Sequence, residues 1–127
     1  MKKRILLVDD EQMILEATKW AFEAQGYEVF TSPTAEEGLV CFQETKPDIL
    51  LVDYKLPGMS GTDLLKQVKV LDPNVRAIMI TGLTHQSEEI ESECRKLGAY
   101  AFLHKPLKTE EVLEMVGTAL KDRTTTR

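Results

Sequence analysis

Three aspartates, a threonine and a lysine stand at the ends of four short apolar runs. Ile5-Leu6-Leu7-Val8 leads into Asp9-Asp10, and Ile49-Leu50-Leu51-Val52 into Asp53. Ala77-Ile78-Met79-Ile80 leads into Thr81, and Ala101-Phe102-Leu103-His104 into Lys105-Pro106. If the runs are parallel strands of one sheet, these groups emerge along the edge where open α/β sheets bind ligands. Converging carboxylates repel one another, and one is held protonated unless a cation joins them. Magnesium suits Asp9, Asp10 and Asp53 because it takes oxygen ligands, keeps waters and shares sites with phosphoryl oxygens. A carboxylate can also attack phosphorus and form an aspartyl-phosphate. Asp53 is the better placed nucleophile, since it ends a central strand rather than opening a helix. The transfer requires charge to be neutralised on three equatorial phosphoryl oxygens. Magnesium covers one, Lys105 a second, and the Thr81 hydroxyl or nearby backbone N–H groups a third, with Gly82 leaving room for the approach. Singly, either Asp of the pair reads as a helix cap, Thr81 as a strand-end residue and Lys105 as a surface lysine. Their joint placement argues for one site.

The elements that must position these groups are legible in the pattern. Continuous apolar runs alternating with helical periodicity indicate βαβ units and a parallel sheet buried on both faces. A first helix is expected over residues 11–25, with Ile14, Ala17, Ala21 and Phe22 inward and Gly26 ending it. A mixed strand over residues 28–31 fits a sheet edge. Thr34 with Glu37 reads as a capping box opening a second helix that carries Leu39 and Phe42 inward. Ser60 with Asp63 opens a third, with Leu64, Val68 and Leu71 on one face and Asp72-Pro73-Asn74 as its stop. A fourth helix over residues 88–97 has a thin stripe of Ile90, Cys94 and Leu97, and such weak anchorage suits an element that moves. The last helix, residues 109–120, carries Val112, Met115, Val116, Ala119 and Leu120.

The chain of 127 residues is one domain of ordinary size, and its net charge of −5 argues against a nucleic-acid or anionic-membrane surface. The basic start is followed by an apolar run too short for a secretory signal, and no stretch reaches transmembrane length. Cys41 and Cys94 lack metal-ligand spacing and read as reduced thiols of a cytoplasmic protein. His85 and His104 are assigned no catalytic role. Residues 121–127 lack apolar content and are expected to be a disordered tail or the start of a linker in a longer protein.

The motifs Leu7-Val8-Asp9-Asp10-Glu11, Asp53-Tyr54-Lys55-Leu56-Pro57-Gly58-Met59-Ser60-Gly61, Ile80-Thr81-Gly82 and Gly98-Ala99-Tyr100-Ala101-Phe102-Leu103-His104-Lys105-Pro106 resemble those of receiver domains of two-component response regulators. The resemblance runs from about Lys3 to Leu120, so residues 1–120 are expected to form the domain. It implies a flavodoxin-like (βα)5 fold, a doubly wound five-stranded parallel sheet in the order 2-1-3-4-5. It implies that Asp53 accepts a phosphoryl group from a phosphohistidine on a sensor histidine kinase or phosphotransfer protein. Asp9, Asp10, Asp53 and the backbone carbonyl of Lys55 would hold Mg2+, and Lys105, before a cis peptide to Pro106, would bind the phosphoryl group. Thr81 and Phe102 would be switch residues: Thr81 moves toward the phosphate, Phe102 turns inward, and the fourth helix shifts. Lys55 and Leu83, two positions after Asp53 and Thr81, would tune how easily water attacks the phosphoryl group. A homodimer would use the fourth helix, last strand and last helix.

Such a protein is a switch that catalyses only its own phosphorylation and dephosphorylation. The principal alternative is a receiver-like interaction module that no longer uses phosphorylation. A hydrolase turning over an aspartyl-phosphate would need a general acid-base residue that Lys55 cannot easily supply, and flavin binding lacks a phosphate-cradling loop after the first strand. The approach Gly98-Ala99-Tyr100 resembles receivers joined to transcription activators with an ATPase domain more than those fused to winged helices. The output itself is not encoded by the fold.

Overall fold

A computed structural model describes residues 2–82 and 87–125, with side chains as far as Lys121. Leu83 and His85 therefore lie outside the described residues, as do Thr126 and Arg127. The elements alternate: β1 (Arg4–Val8), α1 (Gln12–Ala24), β2 (Glu28–Ser32), α2 (Ala35–Thr45), β3 (Ile49–Asp53), α3 (Gly61–Leu71), β4 (Arg76–Thr81), α4 (Ser87–Lys96), β5 (Ala101–His104) and α5 (Thr109–Thr125). All strand pairs are parallel, in the order β2-β1-β3-β4-β5.

Strand side chains alternate across the sheet, so each apolar run feeds two cores. Leu6, Val8, Leu50, Val52, Ala77 and Met79 point into one with Phe42, Leu64, Leu65, Val68 and Cys94 of α2, α3 and α4. Ile5, Leu7, Ile49, Leu51, Ile78 and Ile80 point into the other with Leu15 and Phe22 of α1 and Val112, Val116 and Ala119 of α5. This double burial is why the runs are continuous rather than alternating. The edge strand β2 is the mixed one, with Glu28 exposed and Val29 buried.

The helix starts follow their caps. The Thr34 hydroxyl accepts the Glu37 N–H at 3.1 Å, and the Ser60 hydroxyl accepts that of Asp63 at 3.1 Å. The Thr34 box is not reciprocal in the usual way, because the hydroxyl itself donates to the Glu37 carboxylate at 3.1 Å. Gly26, with φ of +93°, follows α1 in the left-handed region that closes helices cheaply with glycine.

Two expectations about helix faces, and one about where the last helix ends, need correction. On α1 the residues against the sheet are Leu15 and Phe22; Ala17 is exposed. Ile14, Ala17 and Ala21 instead line a groove of roughly 570 Å³ shared with Val112 and Leu113 of α5. On α3, Leu65 is buried where Leu71 was expected, and Leu71 is half exposed. The helix α5 runs to Thr125, past the end of its apolar stripe at Leu120, because no Gly or Pro follows to stop it. The outer face of α1 carries two large exposed apolar side chains, Met13 and Trp20, the latter 76% exposed. No helix among the described residues is long and apolar enough to cross a membrane.

Candidate functional site

The sheet register brings the strand-end groups together. Asp53 closes β3 and pairs with Ile80, so Thr81 lies one residue beyond it on β4. Thr81 pairs in turn with His104, and the Lys105 N–H donates to the Thr81 carbonyl at 2.9 Å. Asp9, the residue after β1, is tied to the β2 edge by its N–H donating to Ser32 O at 3.1 Å. One carboxylate oxygen each of Asp9, Asp10 and Asp53 falls within 4.8 Å of the others, with Asp9 and Asp53 buried and Asp10 exposed.

Lys105 enters this cluster from the β5 side. Its ammonium lies 2.9 Å from Asp53 Oδ2, 3.3 Å from Asp9 Oδ2 and 2.6 Å from Glu11 Oε1. Burial alone lowers the pKa of this ammonium. Hydrogen bonds to Glu11 and Asp53, with the charges of Asp53 and Asp9, outweigh that and hold it above the ordinary lysine range. For Asp9, burial dominates and the nearby Asp53 charge adds to it. Together they raise its pKa despite the Glu11 N–H and Lys105, which act in the opposite direction. A buried carboxylate pushed toward its neutral form marks a place where a cation would be stabilising.

The remaining donor inventory fits a hard cation and a phosphoryl group. Asp9 Oδ1 accepts the Glu11 N–H at 2.8 Å, while Oδ2 is buried with no aligned hydrogen-bond donor among the described residues. The Lys55 N–H donates to Asp53 Oδ1 at 3.2 Å, which folds the loop after β3 over the carboxylate. Thr81 Oγ1 is buried and makes no hydrogen bond among the described residues, an arrangement that costs free energy in a resting protein. Gly61 allows α3 to start against this loop: a Cβ there would lie 2.2 Å from the Asp53 carbonyl oxygen. At Gly82 a Cβ would meet nothing within 4 Å among the described residues, so no close packing there requires the glycine. The Lys105–Pro106 peptide is cis, as the resemblance implied.

The profile of the response regulator receiver domain matches residues 5–117. The chain belongs to the response regulator receiver domain family. Sporulation initiation phosphotransferase F of Bacillus subtilis is 33% identical over 116 residues, covering 91% of this chain and 92% of that protein. Chemotaxis protein CheY of Thermotoga maritima is 34% identical over 122 residues, covering 95% of this receiver and all of that one (100%). A solved CheY-like receiver domain protein from Methanospirillum hungatei superposes with a TM-score of 0.91 at 36% identity, over 100% of both chains. The matches also include the PhoP transcriptional regulatory protein of Bacillus subtilis, of which this receiver spans 50%. The chain is thus a receiver of the two-component response regulator type with the CheY-like fold, and its relatives are signalling proteins.

Three features of the receiver escaped the sequence. Glu11 makes the shortest contact to Lys105, across 94 positions; its only signal was adjacency to the aspartate pair. His104 Nε2 lies 2.7 Å from Glu91 Oε2 on α4, a structural contact that leaves open its reading as non-catalytic. Phe102 is buried, as a strand aromatic is expected to be, and what the sequence did not reveal is the Arg95 guanidinium of α4 stacked 4.7 Å from its ring centre. The fourth helix is therefore held to β5 by Glu91 and Arg95, one helical turn apart.

Proposed function

We propose that this receiver is a phosphorylation-dependent switch of a two-component system in which Asp53 is the phosphoacceptor. The observation that carries this is a buried Thr81 hydroxyl with no partner among the described residues, one sheet position beyond a buried Asp53 that is already hydrogen-bonded to Lys105. Thr81 and Lys105 provide a donor on each side of the position a phosphoryl group on Asp53 would take. A carboxylate oxygen of Asp53 attacks phosphorus in line with the leaving group. The P–N bond of a donor phosphohistidine breaks, its electron pair returns to the imidazole, and an acyl phosphate P–O bond forms. Lys105 bonds one phosphoryl oxygen, the Thr81 hydroxyl donates to another, and the loop N–H groups near Lys55 face a third. Asp9, Asp10, Asp53 and the Lys55 carbonyl would hold magnesium, which supplies charge neutralisation and orients the phosphoryl oxygens when bound.

The output follows from differential bonding: the phosphorylated site is better satisfied when Thr81 moves inward, and His104 and Lys105 are its strand neighbours. Because Phe102 is inward already, the moving parts are Thr81 and α4 rather than an inward turn of the ring. The donor is a sensor histidine kinase or phosphotransfer protein, the setting is the cytoplasm, and the chain turns over only its own phosphoryl group. A homodimer through α4, β5 and α5 would be one readout of the shift.

Intact-mass spectrometry after incubation with magnesium and acetyl phosphate tests this. A single phosphoryl adduct is expected, lost on removal of magnesium and in Asp53→Asn. Absence of an adduct with both acetyl phosphate and a phosphorylated kinase would overturn the proposal and favour an interaction module independent of phosphorylation.

A further inference from the structure

Glu11 stands outside the aspartate cluster yet makes the closest contact of the site, 2.6 Å from its Oε1 to Lys105 Nζ. Its backbone is fixed: it is the N-cap residue of α1, and its N–H is held by Asp9 Oδ1 at 2.8 Å. Its side chain is 57% exposed, whereas Asp9 and Asp53, the other carboxylates on Lys105, are buried. The ammonium is therefore divided between two inner anions and one outer anion. A phosphoryl group on Asp53 requires Lys105 as its own counter-charge, and Glu11 competes for it with full charge and good geometry.

Resting on the phosphoacceptor reading above, we propose that Glu11 is a positioning residue that holds Lys105 at the outer edge of the site. It sets how readily Lys105 is released to an incoming phosphoryl group. The consequence is directional. With Glu11 neutral, Lys105 has one fewer partner, so an anionic phosphodonor recruits it more easily. The effect falls on the donor concentration at half-saturation rather than on the limiting rate, because the competition is for binding the phosphoryl oxygens. An exposed ion pair of this kind corresponds to a change of about twofold to fivefold.

The test is a double-mutant cycle on phosphorylation by acetyl phosphate, read by intact mass in magnesium buffer. The variants are Glu11→Gln, Lys105→Met and the pair, with donor raised until the slowest variant gives measurable adduct. The expected result is a half-saturating concentration lowered about twofold to fivefold by Glu11→Gln in the wild-type background. The same change should have no effect in the Lys105→Met background. An equal gain in both backgrounds would overturn the proposal, because Glu11 would then act only as a general negative charge at the mouth. No gain in either background, with a phosphorylatable wild type, would overturn it as well. A second cycle on thermal midpoints, without donor or magnesium, reads the contact itself: non-additive shifts support it and additive shifts refute it. If the wild type takes up no phosphoryl group, the phosphoacceptor reading fails, and the thermal cycle still decides whether Glu11 holds Lys105.

Discussion

Replacing Asp9 by Asn should stabilise the metal-free protein while removing its response to magnesium. Asp9 is fully buried, and burying a carboxylate costs several kcal/mol even after the surroundings relax. Asp53, no more than 4.8 Å away, adds about 3 kcal/mol of repulsion at an effective dielectric near 20. Against these stands Lys105 at 3.3 Å, about 5 kcal/mol on the same scale. That ammonium is already shared with Asp53 and Glu11, so much of what it loses with Asp9 it recovers from them. An Asn carbonyl keeps the hydrogen bond from the Glu11 N–H, although its amide nitrogen sits less well beside the ammonium. The raised pKa of Asp9 agrees in direction with this balance, and burial plus repulsion less the Lys105 attraction leaves an expected gain of about 1–2 kcal/mol.

The pH dependence carries a definite sign. A carboxyl whose folded pKa lies above its unfolded value binds its proton more tightly when folded. Its stabilising contribution is complete below the unfolded pKa, about 3.9, and is lost as pH rises through the folded value. The advantage of Asp9→Asn should therefore be small near pH 4 and grow to a plateau toward neutrality. Urea unfolding in EDTA at a series of pH values measures it, and a midpoint about 0.5–1 M higher at neutral pH is expected. Magnesium should raise the wild-type midpoint and leave that of the variant nearly unchanged. A variant midpoint equal to or below wild type in EDTA would refute the electrostatic argument.

Other substitutions probe the scaffold and its switch. Thr81→Ala removes a buried hydroxyl with no partner among the described residues, which returns about 1 kcal/mol or more. It also removes a buried methyl, which costs about 1 kcal/mol, so the two should nearly offset and leave stability within about 1 kcal/mol of wild type. The same variant should still take up phosphate but show a blunted change in amide spectra on doing so. Gly61→Ala forces a Cβ to within 2.2 Å of the Asp53 carbonyl and should cost about 2–3 kcal/mol in urea unfolding. A smaller loss would mean that the start of α3 retreats easily from β3. Burial, with the charges of Glu93 and Glu91, pushes the Cys94 thiol up to about 11. In native protein at pH 8 an alkylating reagent should therefore modify Cys41 well before Cys94, with peptide mapping as the readout. Equal rates would show that α4 opens far more often than its packing suggests.

The parallel sheet was readable because both its faces are covered. Ile49-Leu50-Leu51-Val52 needs no alternation when odd and even positions each meet helices, and a continuous run bounded by turn residues signals that state. Since parallel strands share a direction, whatever follows each run must share an edge, which put Asp9, Asp53, Thr81 and Lys105 together before any coordinates. Choice of helix face was harder. On α1 both the pair Leu15 and Phe22 and the set Ile14, Ala17 and Ala21 satisfy helical spacing, and only the position of α5 decides which meets the sheet. Likewise Leu65 and Leu71 were interchangeable until α2 and β4 were in place. The contacts of Glu11 with Lys105 and of Glu91 with His104 lay beyond reach, because periodicity says nothing about which charged side chains meet across distant elements.

Trp20 gives the protein an optical asymmetry. It is the chain's one tryptophan and lies in solvent on the outer face of α1. Emission from so exposed an indole is already close to that of the unfolded chain, so fluorescence wavelength will follow denaturation poorly. It will also report little of events at the carboxylate cluster. Whatever covers the outer face of α1 will shift the emission to the blue and shield it from iodide. A single intrinsic probe thus separates occupancy of that face from chemistry at Asp53.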